Sequence, residues 1–204
     1  MRTFRNALFI CLFTFSWFTP LYPETIPSGS DKVQSIINSS TFTRVQKPIV
    51  IRTDRKTLEY FIEHVEELTK HGRDFNRKEL ILEVRGDDKY GIQMPSKHVT
   101  GEFALIERQP NRAIYAGHGN ARVFFRFSGA IVLEITYDTK KDKEEYYEEV
   151  RTTAHLKFDN PVLGLLTKAA SPVILPKLDK LIAKFSTKTR KVIETAYANK
   201  RGNK

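Results

Sequence analysis

The side chains that could do chemistry are few and widely spaced. His64 and His71 lie seven positions apart in a helix-periodic segment, which puts them on one face about two turns apart. That is roughly 10 Å of helical rise, too far for both to ligate one metal ion. With Glu63, Glu66 and Glu67 beside them they read as a solvated charged face. His118 stands between two glycines in the run GHGNAR. A flexible loop there would let the imidazole reach a ligand, with Asn120 and Arg122 as further donors; the plainer reading is a surface turn. His155 shares the polar side of a strand pattern with Arg151 and Lys157. Facing solvent it would be inert, whereas a curved sheet could turn Glu149, Arg151 and His155 into polar groups of a cavity.

Familiar catalytic spacings are missing. The chain has no HExxH, no G-x-S-x-G, no phosphate-binding glycine loop and no CxxC pair. Its one cysteine, Cys11, sits in an apolar N-terminal run. No catalytic residue, metal site or cofactor is therefore expected. The aromatic content is the richest signal. Phe124, Phe125, Phe127, Tyr137, Tyr146 and Tyr147 fall on two adjacent predicted strands, with Phe103 and Tyr115 ahead of them. Such a set is either a filled core or the wall of an apolar cavity, and sequence alone does not separate the two. Nucleic-acid binding would want basic residues interleaved with exposed aromatics, and Arg122-Val-Phe-Phe-Arg126-Phe comes nearest. The export expected of this chain speaks against that partner.

Arg2 and Arg5 precede Ala7 to Phe18, apolar except for Thr14 and Ser16. Twelve residues span roughly 18 Å as a helix, short of the ~30 Å bilayer core. The length suits the h-region of an export signal, and Pro20 and Pro23 then break the helix. Residues 1–23 are expected to be that signal, with a periplasmic or extracellular destination. No A-x-A cleavage triplet is present, so an uncleaved segment tethering the domain to the membrane is the alternative. Without Arg2 and Arg5 the balance is 32 basic against 24 acidic residues, a net +8. Part of the excess is local: Lys188, Arg190, Lys191, Lys200, Arg201 and Lys204 face Glu194 alone in the last nineteen residues. An anionic membrane surface is the partner such a tail would meet, unless it is simply solvated.

Residues 24–43, rich in Ser, Thr and Pro, read as a linker with one helical turn near Val33, Ile36 and Ile37. Within Arg44 to Arg52, Pro48–Ile51 is expected to be a first strand. A helix follows from Thr53-Asp54 to His71, burying Leu58, Phe61, Ile62, Val65 and Leu68 and ending at Gly72. The period then changes to two. Leu80–Val84 and Tyr90–Met94 form a hairpin, Val99–Glu107 and Arg112–Ala116 flank a turn at Gln109–Asn111, and Gly117–Asn120 makes a loop. Arg122–Tyr137 is a long apolar run in which Ser128-Gly129 marks a bulge or a turn. After a charged loop at 138–144, Tyr146–Phe158 alternates cleanly. Asn160-Pro161 opens the final helix, which Pro172 and Pro176 should kink.

Strand, helix, a run of antiparallel strands and a long C-terminal helix make an α+β domain over 44–198, followed by a basic tail, 199–204. This order, and the ending FDNPVLGLLTKAASPVILPKLDKLIAKF after an alternating strand, resembles the START-like helix-grip superfamily of polyketide cyclase and lipid-transfer relatives. The resemblance implies a curved antiparallel sheet gripping the C-terminal helix. It also implies a non-covalently held lipid or other apolar small molecule. Phe103, Tyr115, Phe125, Phe127, Tyr147, Arg151, His155, Leu178, Leu181, Ile182 and Phe185 would line its cavity. Two other readings stay open. One is a cyclase or aromatase of the same fold, with Tyr147, Arg151 and His155 turned into the cavity. The other is an envelope-associated interaction protein with a filled core.

Overall fold

A computed structural model describes residues 26–27, 29–71, 75, 79–122, 126–142, 145–161, 164 and 171–202. The expected export segment, Gly72, Phe124 and Phe125 lie outside the described residues, as do the side chains of Phe127 and Leu178. The element order is α1 (Ser30–Asn38), β1 (Phe42–Val45), β2 (Ile49–Ile51), α2 (Arg55–Glu63), α3 (Glu67–His71), β3 (Ile81–Gly86), β4 (Lys89–Met94), β5 (Val99–Gln109), β6 (Arg112–Arg122), β7 (Arg126–Asp142), β8 (Glu145–Phe158) and α4 (Ser171–Gly202). The strands form one antiparallel sheet in the order β1-β8-β7-β6-β5-β4-β3, with β2 pairing further along β8. Consecutive hairpins build the meander from β3 to β8, and only the β1/β2 edge needs a crossover. The α+β, helix-grip-like arrangement expected from the element order is the one observed.

Alternation assigns each residue to a face. The inner face, covered by α2, α3 and α4, carries Ile51, Met94, Ala113, Tyr115, Tyr137 and Val150, which join Leu58, Phe61, Ile62, Val192 and Ile193 in one core. The outer face carries Ile114, Ala116 and Val132, which pack against Val33 and Ile36 of α1. The stretch expected to be a linker is thus a structural layer: nine helical residues that shield the middle of the sheet from water.

Other differences from the sequence reading have local causes. The strand expected at Pro48–Ile51 is β2, and a further short strand, β1, precedes it from Phe42. The helix expected to reach His71 is capped at its start by Asp54, whose side chain accepts from the Thr57 N–H, and stops at Glu63 because His64 leaves the helical region (φ −122°, ψ 66°). His64 and His71 are exposed and sit beside Glu66 and Glu67. The expected loop Gly117–Asn120 is the continuation of β6, in register with Glu102, Phe103 and Thr100 of β5. Ser128-Gly129 makes neither bulge nor turn; both pair in step with β6. Pro176 lies inside a helix that is described without a break from Ser171 to Gly202. The expected turns at Gly86–Asp88 and Gln109–Asn111 are present, with Asp88 and Asn111 taking the positive φ those residues tolerate. Among the described residues no helix is long and apolar enough to cross a membrane.

Candidate functional site

The inner face can be read in rungs. One runs Phe158–Gly129–Gly119–Gly101–Ile92 across β8, β7, β6, β5 and β4. The next runs Phe42–Leu156–Ile131–Gly117–Phe103–Tyr90. Four glycines therefore form one contiguous, side-chain-free patch on the face that α4 covers. Their identity is a steric requirement of the curl. A Cβ on Gly119 would lie 2.6 Å from the Thr100 carbonyl oxygen, on Gly117 2.6 Å from that of Glu102, and on Gly129 2.5 Å from that of Lys157. Ile131, Leu156 and Phe158, which border the patch, are only half-buried.

Toward the next rungs the face fills. The Tyr90 and Phe103 rings stack at 5.2 Å, and Phe103 meets Tyr115 edge-on at 6.0 Å. Tyr115 donates its hydroxyl to the Ile62 carbonyl and Tyr90 to that of Glu63 at 2.7 Å. Both acceptors belong to the last turn of α2, whose carbonyls have no intrahelical donor, so two sheet tyrosines cap that helix end. Burial pushes the Tyr90 hydroxyl up to about 12, with Glu66 and Asp88 adding to the shift. Burial likewise holds Tyr115 well above its ordinary value. Of the expected cavity lining, Phe103 and Tyr115 are thus packed core side chains.

The helix that closes this face is docked unevenly. Val192 and Ile193 are 3% and 2% exposed, whereas Leu181, Ile182 and Phe185 are half-buried. Phe185 rests on Phe75 at 5.8 Å. Ion pairs hold α4 to both sides of the sheet. Arg44 of β1 reaches Asp179 at 2.8 Å, and Glu79, just before β3, takes Lys184 at 3.0 Å together with Lys188. Those two pairs hold Glu79 below the usual carboxylate value, the Lys188 hydrogen bond foremost. Five residues of helix, about 7.5 Å of rise, separate Asp179 from Lys184. Partners of a single short stretch of α4 thus come from the two opposite sides of the sheet, a direct measure of its curl.

Tyr147, Arg151 and His155 do not join this space. All three occupy the outer parity of β8, opposite Lys140, Thr136 and Val132, which corrects the expectation that they line the cavity. Arg151 is exposed and pairs with Glu149. His155 is buried because α1 and β1 cover it; its Nδ1 meets Thr43 Oγ1 at 3.2 Å and its Nε2 meets Glu134 Oε2 at 3.3 Å. Arg112 completes this network, donating to Glu134 at 2.6 Å and to Glu107 at 3.2 Å. Burial opposes ionisation of Glu134, yet the Arg112 and His155 hydrogen bonds and the Arg112 charge outweigh it and leave the carboxyl below its ordinary value. His118 also faces outward, with Nε2 2.8 Å from Asp159, which accepts from Ser128 at 2.6 Å.

Sequence reasoning missed two charged inner-face residues. Glu148 is fully buried, accepting from Thr139 at 2.7 Å beside Arg55 at 3.4 Å. Arg44 shares the rung of Ala154, Leu133 and Tyr115. Starting the first strand at Phe42 would have exposed the Phe42/Arg44 alternation. Two surface clefts lie elsewhere. One of about 510 Å³ is lined by Glu63, Glu66, Asp88, Tyr90 and Arg108. The other, about 340 Å³, separates α1 from Ile106, Arg112 and Ile114 on the outer face.

No protein-family model and no curated protein matches the chain. Among solved structures, it is similar to a conserved protein from Geobacillus kaustophilus, with 15% identity and a TM-score of 0.50 over 76% of this chain and 96% of that one. It is also matched, at 8% identity and a TM-score of 0.39 over 76% and 99%, to a putative uncharacterized protein from Rhizobium leguminosarum. The first likeness is one of fold: an antiparallel curved sheet closed by a C-terminal helix, which is the helix-grip-like arrangement found in this chain.

Proposed function

We propose that this chain is an exported, START-like binding protein. It would hold a lipid or other apolar small molecule, without chemistry, between α4 and the inner face of the sheet. The observation that carries the reading is the glycine patch formed by Gly101, Gly117, Gly119 and Gly129. It lies on the face closed by a helix whose apolar side chains are sealed at Val192 and Ile193 but half-buried at Leu181, Ile182 and Phe185. A floor without side chains on the face that α4 closes would leave room for an acyl chain. Burying such a chain contributes about 0.8 kcal/mol per CH₂, enough for micromolar affinity without any polar contact. The charged and apolar pattern of residues 1–23 supports export, and the basic residues of the C-terminal nineteen support contact with an anionic membrane surface. The outward positions of Tyr147, Arg151 and His155 remove the polar groups on which a cyclase reading depended.

The test is native mass spectrometry of the protein purified from the compartment it reaches. A co-purifying lipid, displaced by added fatty acid, is the expected result. A second reading, an interaction protein with a filled core, is favoured by the tight Tyr90–Phe103–Tyr115 packing. Repeated recovery of ligand-free protein that takes up no added lipid would decide for it.

A further inference from the structure

We infer that Arg44 is the headgroup-binding residue of this site and that its ligand is an anionic amphiphile carrying a carboxylate; the assignment rests on the binding reading above. Arg44 belongs to β1 and faces inward opposite Ala154. On its own strand it follows Phe42, whose ring meets Phe158 at 6.1 Å on the border of the glycine patch. It stands two same-face steps, about 13 Å along the strands, from the Gly101–Gly119–Gly129 rung. The face between them is apolar: Leu156, Ile131, Ala154 and Leu133.

The guanidinium is half engaged. Its Nη2 donates to Asp179 Oδ2 at 2.8 Å, while its Nε is buried and has no hydrogen-bond partner among the described residues. Nε and Nη2 share one planar edge of the group, the edge that matches the two oxygens of a carboxylate. A buried donor left without an acceptor costs free energy comparable to a lost hydrogen bond, and more for a charged group. An incoming carboxylate relieves that cost by taking Nε and sharing or displacing Asp179 at Nη2. The tail of the same molecule would run along Leu156 and Ile131 toward the glycine floor. Asp179 is then a stand-in for the ligand, holding the mouth of α4 to β1 until the headgroup arrives.

Calorimetric titration at pH 8 with dodecanoate and with dodecan-1-ol tests this on the full chain. The wild type should bind dodecanoate at least tenfold more tightly than the alcohol. Arg44→Gln should erase that preference, bringing the affinities for the two probes within twofold of each other. Asp179→Asn, which removes the competing carboxylate, should raise the ratio of dodecanoate to alcohol affinity several-fold above that of the wild type. Equal affinities for the two probes in the wild type, or an equal loss of both in Arg44→Gln, would overturn the role of Arg44 and leave the apolar site standing. Binding of neither probe to the wild type would overturn the site and this assignment together.

Discussion

His155 and Glu134 meet on the outer face of the sheet, Nε2 to Oε2 at 3.3 Å, beneath a helix of nine residues where the sequence suggests a single turn. Their contact belongs to a polar line that runs from Thr43 on the β1 edge through His155 and Glu134 to Arg112 on β6. This line ties four strands together on the outer face.

Glu134 makes that line acid-sensitive. Its folded-state carboxyl titrates below the ordinary glutamate value of 4.5. The unfolded chain therefore takes up the proton first as pH falls. The stabilisation is complete above about pH 4.5 and is lost as pH drops through the lower folded value. Denaturant melts between pH 6 and 3 should show Glu134→Gln less stable at neutral pH and with a shallower acid slope than the wild type. Parallel slopes in the two proteins would remove Glu134 from the acid response.

The covering role of α1 predicts a cost for thinning it. Ile36 is 7% exposed and packs on the outer-face cluster. Ile36→Ala should destabilise the fold by about 2 kcal/mol, at the low end for a buried isoleucine because the layer beneath is a single sheet face. A change within 0.5 kcal/mol in urea unfolding would return residues 30–38 to the linker role.

Gly119 leaves no space for a side chain. Its added Cβ would meet the Thr100 carbonyl oxygen at 2.6 Å and the Gly101 Cα at 3.1 Å, both backbone atoms that cannot swing aside. Gly119→Ala should therefore cost about 2 kcal/mol or more through strand displacement. A thermal melt indistinguishable from wild type would show that the sheet can relax its curl there.

Two truncations on α4 should separate stability from binding. Ile193→Ala removes a side chain that is 2% exposed and should cost about 2–4 kcal/mol. Leu181→Ala, at a half-buried position, should cost about 1 kcal/mol or less yet weaken uptake of a fluorescent fatty acid several-fold. Equal stability losses, with binding unchanged in Leu181→Ala, would mean that the helix is seated evenly along its length.

Much of the fold was legible because local rules govern it. The alternation of Tyr146–Phe158, the turns at Gly86–Asp88 and Gln109–Asn111 and the Asp54 cap all follow from side-chain period and backbone preference. Period two says that Arg151 and His155 share a face with each other and not with Val150 and Ala154. It does not say which face α4 will cover, because helix docking is decided by contacts far apart in sequence. The same limit applied to Gly117 and Gly119, which read locally as a loop and are strand residues chosen by the approach of a neighbouring backbone. Residues 30–38 carry a short apolar stripe whose helicity is marginal alone and is secured by burial against Ile114 and Val132. The sequence by itself thus determined the strand and helix segments and the α+β order, since each rests on neighbours within a few positions. Tertiary structure alone decided that His155 faces α1 and that four glycines and Arg44 face α4, since curl and layer packing bring together groups the chain keeps apart.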